Sequence, residues 1–90
     1  MTVKMEVFSG HPPCPGCEAL LKLADEFTEK YRGELEVVKL IGEDAMAKFE
    51  EYKLHCVPAV VINERIRIEG MCPSRATLTS ALREGGLWIR

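Results

Sequence analysis

The chain has no run of basic residues and no excess of positive charge: twelve Lys and Arg stand against fourteen Asp and Glu, a net charge of −2. That excludes the electrostatic footprint of a nucleic-acid-binding domain. It also has no long apolar run. The longest, Val57–Ile62, is six residues and already contains Pro58, whereas a bilayer span needs about 20, so no transmembrane helix and no membrane partner are expected. Cysteine is too sparse for a disulfide-built scaffold, at four in 90 residues against the roughly 8–10% such scaffolds carry. The four must therefore be explained by chemistry, a metal or plain packing. Repeats, linkers and low-complexity segments are absent, and Val3, Lys4, Met5, Glu6 and Val7 alternate instead of forming a basic head and an apolar stretch. The N-terminus thus reads as a strand and not a signal peptide, and the expected location is the cytoplasm.

What is present is ordinary globular usage, 47% hydrophobic and 29% charged. The length allows one domain over 1–90 with one core, a radius of gyration of roughly 12 Å and little stability to spare. A monomer is expected.

Val3–Phe8 alternates and ends at the loop signal Ser9-Gly10-His11-Pro12-Pro13, which gives a first strand. From Pro15 the positions Cys17, Leu20, Ala24, Phe27 and Tyr31, with Leu23, recur at helical spacing up to Gly33. Leu35–Ile41 is a second strand, and Ala45–Leu54 a shorter helix carrying Met46, Phe49 and Tyr52, with Asp44 as its cap. Ala59–Ile62 and Arg65–Glu69 form a hairpin across Asn63-Glu64, with Ile66 and Ile68 inward and Arg65 and Arg67 outward. Ser74 caps a last helix with Leu78, Ala81 and Leu82 on its apolar face, which Gly85-Gly86 ends, and the tail Leu87-Trp88-Ile89 docks on the body. The acidic pairs Glu43-Asp44 and Glu50-Glu51 read as a solvated helix face. The order is β-α-β-α-β-β-α.

The most specific feature is Cys14-Pro15-Gly16-Cys17 between a strand and a helix start. One helical turn separates the sulfurs, so they can close into a disulfide without rearranging the fold. Cys14 precedes the helix, where unpaired N–H groups and the positive end of the dipole stabilise a thiolate. Cys17 lies on the apolar stripe and is expected to be sheltered and less ionised. Cys14 is accordingly the attacking nucleophile and Cys17 the resolving thiol. Pro15 fits the first helical turn and holds the exposed thiol in place, and Gly16 leaves the surface around the pair open. Val57-Pro58 stands at the mouth of a strand; taken alone it reads as a trans proline at a first strand position, since only about 5–6% of X–Pro bonds are cis.

The strand ending before Cys14-Pro15-Gly16-Cys17, Val57-Pro58 ahead of a hairpin, and Gly70 ahead of the last helix together resemble the thioredoxin-like superfamily, its small glutaredoxin-like proteins in particular, over about Val3–Glu84. The resemblance implies an α/β thioredoxin-like fold with a four-stranded mixed sheet and three helices. It also implies a cis Pro58 lying against the cysteines and a Val57 backbone that pairs with the substrate strand, so that Val57, Pro58, Pro15, Gly16 and Gly70 make up the substrate-binding set. The chain departs from the family at several positions. Gly16 stands where glutaredoxins usually have Tyr, Pro13 where thioredoxins have Trp, and Phe8 where thioredoxins bury an Asp. Glu69-Gly70-Met71-Cys72-Pro73 keeps one glycine of the glutathione-binding Gly-Gly-x-Ser/Thr-Asp stretch and has Pro73 for its Asp. These departures argue against glutathione as the specific reductant and for a protein disulfide as substrate.

In the family's sheet Cys56 and Cys72 fall on loops at the active-site end, so four thiols would converge on one edge. They read first as small, partly buried residues, then as a second disulfide or relay thiol, and last as part of a four-thiolate zinc site. His11 and His55 flank Cys14 and Cys56, but a cysteine–histidine hydrolase also needs an oriented base and an oxyanion site, so His11 reads as a solvated loop residue that modulates the thiolate. The sequence thus reads as a cytoplasmic dithiol–disulfide oxidoreductase working through Cys14 and Cys17, needing no cofactor or metal, with a disulfide-containing protein as substrate and a reductase or low-molecular-weight thiol as electron donor. The competing class is a metal-binding or redox-responsive adaptor module using Cys14, Cys17, Cys56 and Cys72.

Overall fold

Strand β1 (Val3–Ser9) sets the layers through its alternation. In this computed structural model, which describes residues 3–12 and 14–87, Val3, Met5 and Val7 face one side of the sheet, and Glu6 and Phe8 the other. The first side is covered by α1 (Pro15–Lys30), through Leu20, Leu23, Ala24 and Phe27, and by α3 (Arg75–Glu84), through Leu78, Ala81 and Leu82. The second is covered by the shorter α2 (Glu43–Glu51) and the turn after it, through Ala45, Tyr52 and Leu54. Pro13, Trp88 and Ile89 lie outside the described residues. Leu87 is buried in the α1/α3 layer.

The sheet order is β2-β1-β3-β4, with β2 (Leu35–Ile41), β3 (Ala59–Ile62) and β4 (Ile66–Glu69). β1 and β2 are parallel and joined by the crossover helix α1, whereas β3 runs antiparallel to both β1 and β4. All four residues of β3 are buried, as a central strand covered on both faces requires. Because Phe8 pairs with Ala59 and Ala59 with Glu69, the end of β1, the start of β3 and the end of β4 share one edge. The radius of gyration is 12.0 Å.

Local chemistry explains where the structure differs from the sequence expectations. Helix α2 begins at Glu43, capped by Gly42 at φ +62°, so Asp44 is not the cap but sits in the first turn, where its charge suits the dipole. The helix is rotated so that Ala45 is buried and Met46 is 61% exposed, which removes Met46 from the expected core stripe. Arg65 belongs to the turn, its N–H donating to Ile62 O, with Asn63 and Glu64 both at positive φ as a type I′ turn needs. The Asn63 side chain accepts from the Lys4 N–H at 2.9 Å and donates to Gly85 O at 2.6 Å, pinning the hairpin to the start of β1 and the end of α3. Ser74 caps α3, its hydroxyl accepting from the Thr77 N–H. Glu6, on the face alternate to the expected core, is 1% exposed, and its carboxylate accepts from the Tyr52 hydroxyl at 2.7 Å.

Candidate active site

The chain leaves β1 at Gly10, and Cys14 stands at the N-cap of α1. Its backbone is extended there, and its sulfur accepts from the Cys17 N–H at 3.2 Å, doing for the helix what a serine or aspartate oxygen does elsewhere. Pro15 fills the first helical position, where no N–H is needed. One turn on, Cys17 is fully buried, whereas Cys14 is exposed, with the sulfurs 2.8 Å apart. The two sulfurs therefore differ in access: only that of Cys14 can meet a macromolecular substrate.

Burial pushes the Cys17 thiol up, but the hydrogen bond from the Cys14 thiol, with the Gly10 and Cys14 backbone and the neighbouring Ser9 side chain, outweighs it, so the thiol lies below its ordinary range. Cys17 is sheltered as expected, but its thiol is lowered where a less ionised group was expected. With the sulfurs in contact, the first proton to leave belongs to the pair, and access decides which sulfur attacks.

The Val57–Pro58 peptide is cis, and so is His11–Pro12, which the sequence gave no reason to expect. Pro58 is buried against the motif: a Cβ on Gly16 would lie 3.3 Å from its Cγ and 3.9 Å from Cys14 Sγ. Val57 is half-buried opposite Gly10. Gly70, at φ +81°, donates its N–H to Pro58 O at 2.9 Å, so the end of β4 is tied to the proline loop. Pro15, Gly16, Val57, Pro58 and Gly70 are thus brought to one surface around Cys14.

The remaining thiols divide. Cys56 is exposed at the rim, its sulfur 3.1 Å from where a Gly70 Cβ would stand. Cys72 turns the other way, into a recess beside Leu23 of α1, and burial raises its thiol. The four cysteines share an edge but do not converge. Among the described residues no three His, Cys, Asp or Glu side chains come together as metal ligands, which corrects the four-thiolate alternative. His11 packs over Gly42 and His55 is exposed.

Two features were missed by sequence reasoning. An open apolar recess of about 370 Å³ lies between the Gly10 loop and α2, lined by Val57, Ala45, Met46 and Phe49. Ser9, read only as part of a loop signal, is 2% exposed behind the motif; its place as the last residue of β1, on the parity of Val7, was the signal that could have shown it.

A family model described as "Thioredoxin domain" matches residues 2–83. The chain is 34% identical over 84 residues to a "Probable Thioredoxin" of Methanothermobacter thermautotrophicus, covering 93% of this chain and 96% of that one. Its fold is similar to that of a solved malarial protein, with a TM-score of 0.80 at 13% identity, covering 97% of this chain and 100% of that one. It is also similar to chloroplastic thioredoxin z, with a TM-score of 0.73 at 22% identity, covering 93% and 78%.

Proposed function

Because this chain belongs to the thioredoxin family, and is at that level a thiol–disulfide oxidoreductase, we propose that Cys14 and Cys17 are its redox couple and that its substrates are protein disulfides. The observation that carries this reading is the asymmetry of the pair: one sulfur exposed at a helix N-terminus, its partner fully buried 2.8 Å behind it.

Cys14 thiolate attacks one sulfur of the substrate disulfide, and the other leaves as a thiolate that takes up a proton. A mixed disulfide forms while Val57 and Pro58 hold the substrate chain beside the motif. Cys17 then attacks Cys14 Sγ, the second substrate sulfur leaves, and the protein is left with a Cys14–Cys17 disulfide. The two electrons given to the substrate are restored by a reductase or a low-molecular-weight thiol, in a reducing compartment such as the cytoplasm. The exposed apolar surface around Val57 and Met46 suits a polypeptide better than a small polar thiol.

Cys17→Ser is expected to accumulate a covalent adduct between Cys14 and a disulfide-containing protein, seen by mass spectrometry and released by reductant. Cys14→Ser should form none. Equal trapping by both variants, or by neither, would sink the assignment.

A further inference from the structure

Resolving a mixed disulfide asks more of Cys17 than the dithiol form does. In the dithiol the thiol of Cys14 donates to the Cys17 sulfur. Once Cys14 is bonded to substrate that proton is gone, and the hydrogen bond goes with it. Cys17 must then carry negative charge in a fully buried position, where a charge without donors is costly.

The end of β1 supplies what remains. Val3, Met5 and Val7 point into the α1 layer, so the strand's period of two sends Ser9 to the same side, toward the first turn of α1. The hydroxyl is buried and, in the dithiol form, donates to Gly10 O at 2.9 Å. The Ser9 hydroxyl and the Gly10 backbone are both among the groups that lower the Cys17 thiol, in keeping with the same placement. The other titratable side chains on the neighbouring elements look elsewhere: His11 and Glu18 are exposed, and Glu6 faces Tyr52 across the sheet.

We propose that Ser9 is a catalytic residue of the second half-reaction, its hydroxyl turning from the Gly10 carbonyl to the Cys17 sulfur when Cys14 enters the mixed disulfide. This rests on the redox reading of the pair. The Cys17 thiol releases its proton to solvent, and the thiolate, held by Ser9 and the Gly10 amide, gives its electron pair to Cys14 Sγ. The Cys14–substrate bond breaks, and the departing sulfur keeps that bond's electrons and takes up a proton from solvent. Ser9 keeps its own proton throughout.

The test uses the chain with Cys56→Ser and Cys72→Ser, so that only the motif thiols report. In a Cys14→Ala background, where Cys14 cannot help, Ser9→Ala should raise the Cys17 titration, followed by thiolate absorbance, by about one pH unit, a tenfold change. With both cysteines present and an aromatic disulfide reagent as substrate, release of the first aromatic thiolate should be unchanged. Release of the second should slow about threefold to tenfold near neutral pH, the deficit vanishing at high pH because the less acidic thiolate is the better nucleophile. Ser9→Thr should restore both. An unmoved Cys17 titration, or a threonine variant as slow as alanine, would overturn the role of the hydroxyl. If the parent itself never releases the second thiolate, the redox reading fails, and the Cys17 titration still decides whether Ser9 holds the thiolate.

Discussion

Gly16 and Pro58 are in contact: a Cβ added at Gly16 would stand 3.3 Å from Pro58 Cγ and 3.4 Å from Cδ, against a ring that has no flexible end to swing away. Gly16→Ala therefore sets two effects against each other. Alanine in the first turn favours the helix by about 0.5–1 kcal/mol over glycine, and the crowded ring gives some of that back. Stability should stay within about 1 kcal/mol of the parent in urea unfolding, while kcat/KM on a protein disulfide falls several-fold because Pro58 and Cys14 no longer present one continuous surface. An unchanged kcat/KM would show that the Gly16–Pro58 contact is structural only.

The buried pair Glu6–Tyr52 makes a different claim, about stability and pH. Tyr52→Phe leaves a carboxylate that is 1% exposed without its donor, which should cost about 1.5–3 kcal/mol. Burial, and then the hydrogen bond and charge of Glu6, push the tyrosine hydroxyl well above its ordinary range. The folded state thus holds this proton after the unfolded state has released it near pH 10. Stability from this group is complete below that pH and is lost as pH rises toward the folded value, with a slope of at most about 1.4 kcal/mol per pH unit. Urea unfolding of the parent and Tyr52→Phe at a series of alkaline pH values should show the gap between them closing. A constant gap would mean that the proton is not held.

At the opposite end of the sheet from the motif, Asn63, Ile62 and Gly85 form the joint between hairpin and last helix. Gly85 has an ordinary φ of −77°, so glycine is needed there for space: a Cβ would come 2.7 Å from Ile62 Cγ2 and 3.5 Å from Asn63 Nδ2. Gly85→Ala should cost about 1–3 kcal/mol. Asn63→Gly keeps the left-handed turn but removes the bonds to Lys4 N–H and Gly85 O, for about 1–2 kcal/mol. Because both changes strike one joint, the double variant should lose less than their sum in a thermodynamic cycle. Full additivity would separate the clash from the hydrogen bonds.

Much of this architecture could be read from the chain because each element's local signals agree. The helical stripe from Cys17 to Tyr31, the alternation of β1 and the Ser74 cap name their elements without help from tertiary contacts. Reading stops where a residue's role is decided by what lies across the fold. Met46 keeps helical spacing with Phe49 and Tyr52, yet α2 is rolled by its glycine cap so that Ala45 faces the sheet instead. Glu6 follows a polar residue's parity and is buried nonetheless, because Tyr52, 46 positions away, reaches it. Ser9 belongs to the same class: its meaning comes from Cys17, which only the crossover of β1 into α1 brings alongside. The spacing of the motif shows that two thiols can pair, and the first hydrogen bond on the buried one does come from Cys14, but the buried hydroxyl beside it comes from the strand before.

Cys56 and Cys72 test whether the shared edge holds one thiol centre or separate residues. Cys56 is exposed and Cys72 lies half-buried against α1, with desolvation pushing its thiol up. A raised value means less thiolate at neutral pH, and only the thiolate attacks an alkylating reagent. With Cys14 and Cys17 locked in their disulfide, iodoacetamide should therefore label Cys56 at least about tenfold faster than Cys72, and raising the pH should speed Cys72 the more. Time-resolved peptide mass spectrometry gives both rates. In the fully reduced protein, because the four sulfurs do not converge, added zinc should protect neither Cys56 nor Cys72, and a chelator should change neither rate. Equal labelling with protection by zinc would restore a metal centre at this edge and would displace the reading of Cys56 as a separate rim thiol.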